Sequence, residues 1–267
     1  MRAGLALIGG NTDVQRRLVS PRYVLVCVGR KCVVRSDMSE DYLKDPQHML
    51  ATIRAYASYF TALTGKTGFD DRVLKAMGTV PRHEFVPVEI QPYAYENMPL
   101  PIGFGKTISQ PFMVAVMTDL LDLQPQDTVL EIGTGLGYQA AVLAELCGGV
   151  YSVEVIDELA GRAVKELKRQ GYTNVEVRVG NGYSGWPEHA PFDKVIVTAA
   201  PDLIPPPLIY QLKAGGRMVI PVGLPDAQQL VVAEKESNGK ITMKQIMPVR
   251  FSLLEGSDEP PIQGRPS

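Results

Sequence analysis

Short apolar runs and amphipathic stretches alternate along the second half of the chain. Near-continuous Val/Ile/Leu runs predict strands at 128–132, 150–153, 175–179, 194–198 and 217–221. Stretches between them with helical apolar spacing predict helices at 138–147, 156–170 and 207–212. Strands of this kind joined by helices mean a mostly parallel sheet covered on both faces. Residues 229–235 and 241–248 alternate more strictly, and Asn238-Gly239 between them is a hairpin signal. The expected fold class is therefore α/β: a doubly wound, mostly parallel, seven-stranded sheet ending in a C-terminal antiparallel hairpin.

Upstream, Met49, Ile53, Tyr56, Phe60 and Leu63 form one apolar stripe and predict a single helix over 48–63, ended by Gly65 to Gly68. Asp70 and Asp71 start a short helix with Val73, Leu74 and Met77 inward. The loop 91–105 is rich in Tyr, Pro and Gly and long for a compact domain, which marks it as functional. Tyr93, Tyr95 and Asn97 within it are candidates for covering a site. Thr107-Ile108-Ser109-Gln110-Pro111 leads into a helix with Val114, Met117, Leu120 and Leu121 inward. Ser109 stands where an N-cap belongs, and Pro111 falls in the first turn.

The run Val129-Leu130-Glu131-Ile132-Gly133-Thr134-Gly135-Leu136-Gly137 carries the strongest chemical signal. Glycines at alternate positions let the backbone turn sharply and a ligand approach closely. The helix that follows offers unpaired N–H groups. Glu154 ends the next strand, where a carboxylate accepts hydrogen bonds from ribose hydroxyls. A nucleoside site follows, and nicotinamide, flavin and S-adenosylmethionine enzymes all use such a loop. Glu131 two residues before the first glycine and the C-terminal hairpin favour S-adenosylmethionine.

Composition narrows the picture modestly. The 267 residues are 45% hydrophobic, enough for one large domain with a well-buried core. A net charge of −2 gives no reason to expect nucleic acid or an anionic membrane as partner. No stretch is long and apolar enough to cross a bilayer. Cys27, Cys32 and Cys147 are too few and too scattered for a disulfide framework and fit a reducing, cytoplasmic compartment. Cys27 and Cys32 lack a second ligand pair, and His48, His83 and His189 are dispersed, so no metal site is expected. Arg2 with Leu5 to Ile8 faintly resembles a signal peptide, but Gly9-Gly10-Asn11 breaks it. Residues 1–37 are expected to be a poorly ordered extension, or a product of start-site choice with Met38 as the natural start; Tyr23 to Val28 reads as one strand with no obvious partner. The expected organisation is extension 1–37, cofactor domain 38–256 and a disordered Pro-rich tail 257–267.

The chain resembles protein-L-isoaspartate O-methyltransferases from about Asp70 to Leu254, with several motifs in order. They are Val80-Pro81-Arg82 with Phe85-Val86-Pro87; Leu100-Pro101-Ile102-Gly103 with Thr107-Ile108-Ser109-Gln110-Pro111; the glycine run with Tyr138-Gln139; Tyr151-Ser152-Val153-Glu154; Phe192-Asp193 with Val195 to Ala200; and Leu212 with Gly215-Gly216 and Pro221-Val222-Gly223. The Thr-Ile-Ser-Gln-Pro block is the most family-specific.

The resemblance implies a class I, Rossmann-like methyltransferase using S-adenosylmethionine. Its acceptor would be the misplaced α-carboxyl of isoaspartyl residues in damaged proteins and peptides. It implies that Ser109 is the active-site residue and that Thr198, Ala199 and Ala200 bind substrate. Thr107, Ile108, Glu131, Gly133, Thr134, Gly135, Gly137, Tyr138, Gln139, Glu154, Val155, Asn181 and Gly182 would bind the cofactor. The chemistry agrees with the residues: a carboxylate nucleophile is already ionised near pH 7 and the methyl already activated, so no catalytic base is needed. Two departures stand out. Asn181-Gly182 replaces the family's Asp-Gly near the adenine, which lowers the expected cofactor affinity. Ser252-Leu253-Leu254 replaces Val-Pro-Leu in the wall of the substrate cleft. Another carboxyl or small-molecule methyltransferase, or a cofactor-binding module without catalysis, stays open; a nicotinamide dehydrogenase is a more distant alternative.

Overall fold

The structure is a computed structural model that describes the backbone of residues 15–20, 23–28 and 31–35, and residues 45–256 with their side chains. The expected disordered tail 257–267 lies outside the described residues. The chain divides into two compact units, Met1–Asp45 and Pro46–Ser267.

In the first unit, β1 (Gln15–Ser20), β2 (Tyr23–Val28) and β3 (Lys31–Arg35) form an antiparallel sheet in the order β1-β2-β3. The strand at Tyr23–Val28, expected to lack partners, has one on each side.

The second unit is built on a seven-stranded sheet. Its strands are β6 (Thr128–Ile132), β7 (Gly149–Glu154), β8 (Val175–Val179), β9 (Phe192–Val197), β10 (Leu212–Val222), β11 (Gln228–Lys235) and β12 (Ile241–Val249). They lie in the order β12-β11-β10-β9-β6-β7-β8. Strands β6 to β10 are parallel, and β11 and β12 add antiparallel, as the alternation predicted. The chain runs outward through β6, β7 and β8, then returns to the other side of β6 with β9. That reversal opens a crevice at the C-terminal ends of β6 and β9.

Alternate residues of each strand feed two cores. Val129, Val150, Ile196 and Val219 pack with helices α3 (Asp71–Thr79), α4 (Pro111–Leu121), α5 (Tyr138–Ala144) and α6 (Asp157–Arg169). Leu130, Ile132, Val195, Val197 and Met218 pack with Trp186 and with Leu208 of α7 (Pro206–Gln211) on the other face. Helix α4 is buried on every side, so its polar Asp119 is answered locally: Lys66 Nζ lies 2.5 Å away and the Asp70 N–H donates at 2.6 Å.

Three further expectations are corrected. The helix expected over 48–63 is two helices, α1 (Pro46–Ala55) and α2 (Ala57–Thr64), with Tyr56 outside both at φ −90°, ψ 8°. Strand β10 reaches back to Leu212 through Gly215-Gly216, where its pairing with β9 shifts register. Ser109 does not cap α4: Gln110 occupies that position without a side-chain cap bond, and the Phe112 N–H donates instead to Asn97 Oδ1 at 3.0 Å.

Candidate active site

A cleft with about 570 Å³ of empty space, open to solvent, lies at the crevice. Its floor is Ile132, Gly133 and Gly135 after β6, with Val153, Glu154 and Val155 after β7. One side is a small hairpin, β4 (Leu100–Gly103) with β5 (Lys106–Ile108), which contributes Ile102, Lys106 and Thr107. The opposite side is Gly182, Thr198, Ala199 and the segment Ser252 to Glu255.

The floor is shaped by close approach. Gly133 takes φ +98°, and a Cβ there would overlap the Thr198 hydroxyl. That hydroxyl donates to the carbonyls of Gly133 at 2.8 Å and Ile132 at 3.1 Å. At Gly135, φ +56°, a Cβ would meet only Ile102 Cδ1, at 3.2 Å, so the backbone here stays bare. At Gly182 a Cβ would meet Ile132 Cγ2 at 2.5 Å. Glu154 is 6% exposed and accepts from the N–H groups of Gly135 at 2.8 Å and Ile156 at 3.0 Å. A carboxylate has about four lone-pair sites, so capacity for ribose hydroxyls remains.

Not every residue expected at the site reaches the cleft. Glu131 is completely buried beneath the loop; Ser152 Oγ donates to its Oε2, while its Oε1 has no partner. Burial pushes its pKa up to about 8. Thr134 and Ser152 share a 2.5 Å hydroxyl hydrogen bond in the same cluster. Gly137 serves packing, because a Cβ there would press on Leu167 and Ala163 of α6 at 3.2–3.4 Å. Gln139 donates to Thr118 Oγ1 at 2.9 Å. Tyr138 is buried against Arg82 and Phe85. Asn181 caps the turn that follows, accepting from the Tyr183 N–H at 2.9 Å. Ile108 is buried in the core.

Ala200 is buried and joins the C-terminal segment: its N–H donates to Ser252 O at 2.8 Å, and the Leu254 N–H donates to Ala200 O at 2.9 Å. Those bonds place the departing Ser252-Leu253-Leu254 sequence in the cleft wall. Ser109 follows β5, one residue beyond Ile108, and its hydroxyl forms no hydrogen bond among the described residues. Its carbonyl accepts from Arg82 Nη2 at 2.7 Å.

Arg82, in the Val80-Pro81-Arg82 motif, is an anchor of this region that its sequence does not betray. It is fully buried, its Nε donates to Ala94 O at 2.7 Å, and its guanidinium carbon sits 4.7 Å over the Tyr138 ring. Burial lowers its pKa to about 10, with Tyr138 opposing the shift. Tyr95 does not cover the cleft either; its hydroxyl pairs with His83 Nδ1 at 2.8 Å. Asn97 ties down the start of α4, since the Gln110 side-chain amide donates to its carbonyl at 2.9 Å.

Among the described residues, no helix is long and apolar enough to cross a membrane, and no group of three His, Cys, Asp or Glu could hold a metal ion.

The bare glycine loop, the acid at the end of the neighbouring strand and the antiparallel closure of the sheet follow the plan of a class I S-adenosylmethionine-dependent methyltransferase. The family model for protein-L-isoaspartate(D-aspartate) O-methyltransferase matches residues 60–259. A Polaromonas protein-L-isoaspartate O-methyltransferase 1 is 63% identical over 212 residues, 79% of this chain and 90% of the relative. A Nitrosococcus oceani protein-L-isoaspartate O-methyltransferase 2 is 51% identical over 219 residues, 82% of this chain and 100% of the relative. A solved protein-L-isoaspartate O-methyltransferase superposes with a TM-score of 0.68 at 28% identity, covering 79% of this chain and 66% of that one. A Plasmodium falciparum structure of that name, in complex with S-adenosyl-L-homocysteine, shares the fold at a TM-score of 0.66 and 23% identity, over 79% of this chain and 98% of that one. The chain belongs to the protein-L-isoaspartate(D-aspartate) O-methyltransferase family.

Proposed function

We infer that the protein transfers the methyl group of S-adenosylmethionine to the free α-carboxyl of L-isoaspartyl residues in damaged proteins and peptides, which opens their repair. The observation that carries this reading is the make-up of the cleft. Its ionisable residues are Glu154, already engaged by two backbone amides, and the paired Lys106 and Glu255. Among the described residues lining the cleft there is no His, Cys or Tyr, and a carboxylate acceptor has no proton to give.

The cradle fits the cofactor, because a Cβ at Gly135 would project into the cleft toward Ile102, 3.2 Å away, and glycine leaves that space free beside Glu154. Gly133, Gly135 and Gly182 would admit it, and Glu154 would accept its ribose hydroxyls. When bound, the cofactor supplies an electrophilic methyl on a sulfonium centre. The residues of this chain then act by placement and by excluding water. Orientation of two reacting groups supplies about 7–11 kcal/mol in well-aligned pairs. Ser109 is the orienting hydroxyl, held through its own backbone by Arg82. Thr198 and Ala199 flank the acceptor, with small side chains that let a peptide backbone come close, while Ala200, buried behind them, anchors the C-terminal wall. The cytoplasm fits the sparse cysteines, and the net charge of −2 supports neither nucleic acid nor membrane as partner.

The test is repair itself. An aged protein with mapped isoaspartyl sites is incubated with the enzyme and S-adenosylmethionine, and those sites are followed by mass spectrometry. Their conversion to aspartyl residues, with no change when the cofactor is omitted, is the expected result; unchanged isoaspartyl content contradicts the reading.

A further inference from the structure

One charged pair in the cleft takes no part in the chemistry above. Lys106, on β5, and Glu255, on the C-terminal segment, both line the cleft, and Lys106 Nζ lies 2.8 Å from Glu255 Oε1. Lys106 is the only cation among the described residues lining the cleft. Its side chain is 19% exposed, that of Glu255 55%. The ammonium is therefore held inside, and its carboxylate partner reaches in from the rim. The backbone on both sides is fixed. β4 and β5 pair at Leu100–Ile108 and Pro101–Thr107. Leu254, just before Glu255, is tied through its N–H to Ala200 O at 2.9 Å and through its carbonyl to the Tyr183 hydroxyl at 3.1 Å.

An ammonium in a partly dry cleft is a carboxylate site, and the pair shows one carboxylate seated there. The acceptor in the reading above brings another. We propose that Lys106 binds the carboxylate of the methyl acceptor, and that Glu255 is an internal carboxylate holding the ammonium until the acceptor displaces it. The proposal rests on that reading of the acceptor. It places the acceptor where the β4–β5 hairpin meets the 252–255 segment. Lysine suits the exchange, being a compact point charge on a flexible stem that can pass from one carboxylate to another. Through one oxygen the ammonium orients the acceptor and leaves the other free to attack. Transfer forms one O–C bond, breaks one S–C bond and moves no proton. The ester product is neutral, so its ion pair with Lys106 is lost, and Glu255 retakes the ammonium as product leaves.

Steady-state kinetics with an isoaspartyl peptide at saturating S-adenosylmethionine test this, using wild type, Lys106→Gln, Glu255→Gln and the double variant. Competition predicts opposite signs. The peptide KM rises roughly tenfold in Lys106→Gln, the scale of a charge-assisted hydrogen bond. It falls about two- to threefold in Glu255→Gln, the scale of a partly exposed ion pair, and Glu255→Gln adds nothing once Lys106 is Gln. A purely structural clasp is broken equally by either change, so KM shifts of the same sign overturn the proposal. So does a loss confined to S-adenosylhomocysteine affinity in calorimetry, which assigns Lys106 to the cofactor's carboxylate. The rim residue Glu255 gives its sign independently of how Lys106→Gln folds. If the wild type leaves the peptide unmethylated, the reading of the acceptor fails; if it methylates the peptide and the signs agree, this proposal alone fails.

Discussion

Thr198 and Gly133 are locked together across the floor of the cleft. The Thr198 hydroxyl donates to Gly133 O at 2.8 Å, and its N–H donates to Ile132 O at 2.9 Å. The end of β9 thus fixes the turn that leaves β6, and the fixed turn leaves no room for a side chain at 133. Gly133→Ala combines that overlap with a left-handed φ and is expected to cost about 2–4 kcal/mol of stability. Thermal unfolding measures the loss, and calorimetry with S-adenosylhomocysteine should show weakened binding. A variant as stable as wild type with full affinity contradicts the account.

Glu154 joins the two halves of the cleft floor through the N–H groups of Gly135 and Ile156. Glu154→Ala removes those bonds and the proposed acceptor for ribose. S-adenosylhomocysteine affinity is expected to fall about 10- to 100-fold, the scale of charged hydrogen bonds. Titration calorimetry reads it directly.

Ser109 and Arg82 separate chemistry from scaffold. Because Ser109 caps no helix, Ser109→Ala should barely move the melting temperature while lowering kcat by about tenfold or more. Arg82→Lys loses the fork that reaches Ala94 O and Ser109 O together. It is expected to cost about 2–4 kcal/mol as well as turnover. Wild-type turnover in Ser109→Ala would leave that hydroxyl without a role.

Glu131 makes stability depend on pH. Its folded pKa, about 8, lies above the ordinary 4.5 because burial disfavours the charged form. The folded state therefore holds the proton where the unfolded state has released it. The contribution is fully present below about pH 4.5, is lost as pH rises toward 8, and is constant above that. Glu131→Gln removes this dependence while keeping an acceptor for Ser152. Melting curves from pH 5 to 9 should show wild type losing ground to the variant up to about pH 8; parallel curves contradict the assignment.

The parallel strands and the glycine loop were legible because their signals are local: near-continuous Val/Ile runs, and glycines that a tight turn demands. What the sequence hid depends on distant partners. Ser109 has the residue type of an N-cap, but Asn97, fifteen positions before Phe112, answers the start of α4. Tyr56 continues an apolar stripe, so a break in backbone conformation there leaves no mark in the spacing. Gly215-Gly216 interrupts the apolar pattern of β10, which concealed its first residues. Arg82 reads as surface charge until Ala94 and Ser109 are seen to receive it. The partner of β2 at Gln15–Ser20 opens with Gln-Arg-Arg and lacks a strand's alternation. Of the residues expected to hold the cofactor, Thr107, Gly133, Gly135, Glu154, Val155 and Gly182 line the cleft, while Ile108, Glu131, Thr134, Tyr138 and Gln139 are buried behind it.

The central claim is tested most directly by methyl transfer from labelled S-adenosylmethionine to a short isoaspartyl peptide, beside the same peptide with a normal aspartyl residue. Base-labile label on the isoaspartyl peptide alone is the expected result. Label on both peptides, or on neither while S-adenosylhomocysteine still binds, would contradict it.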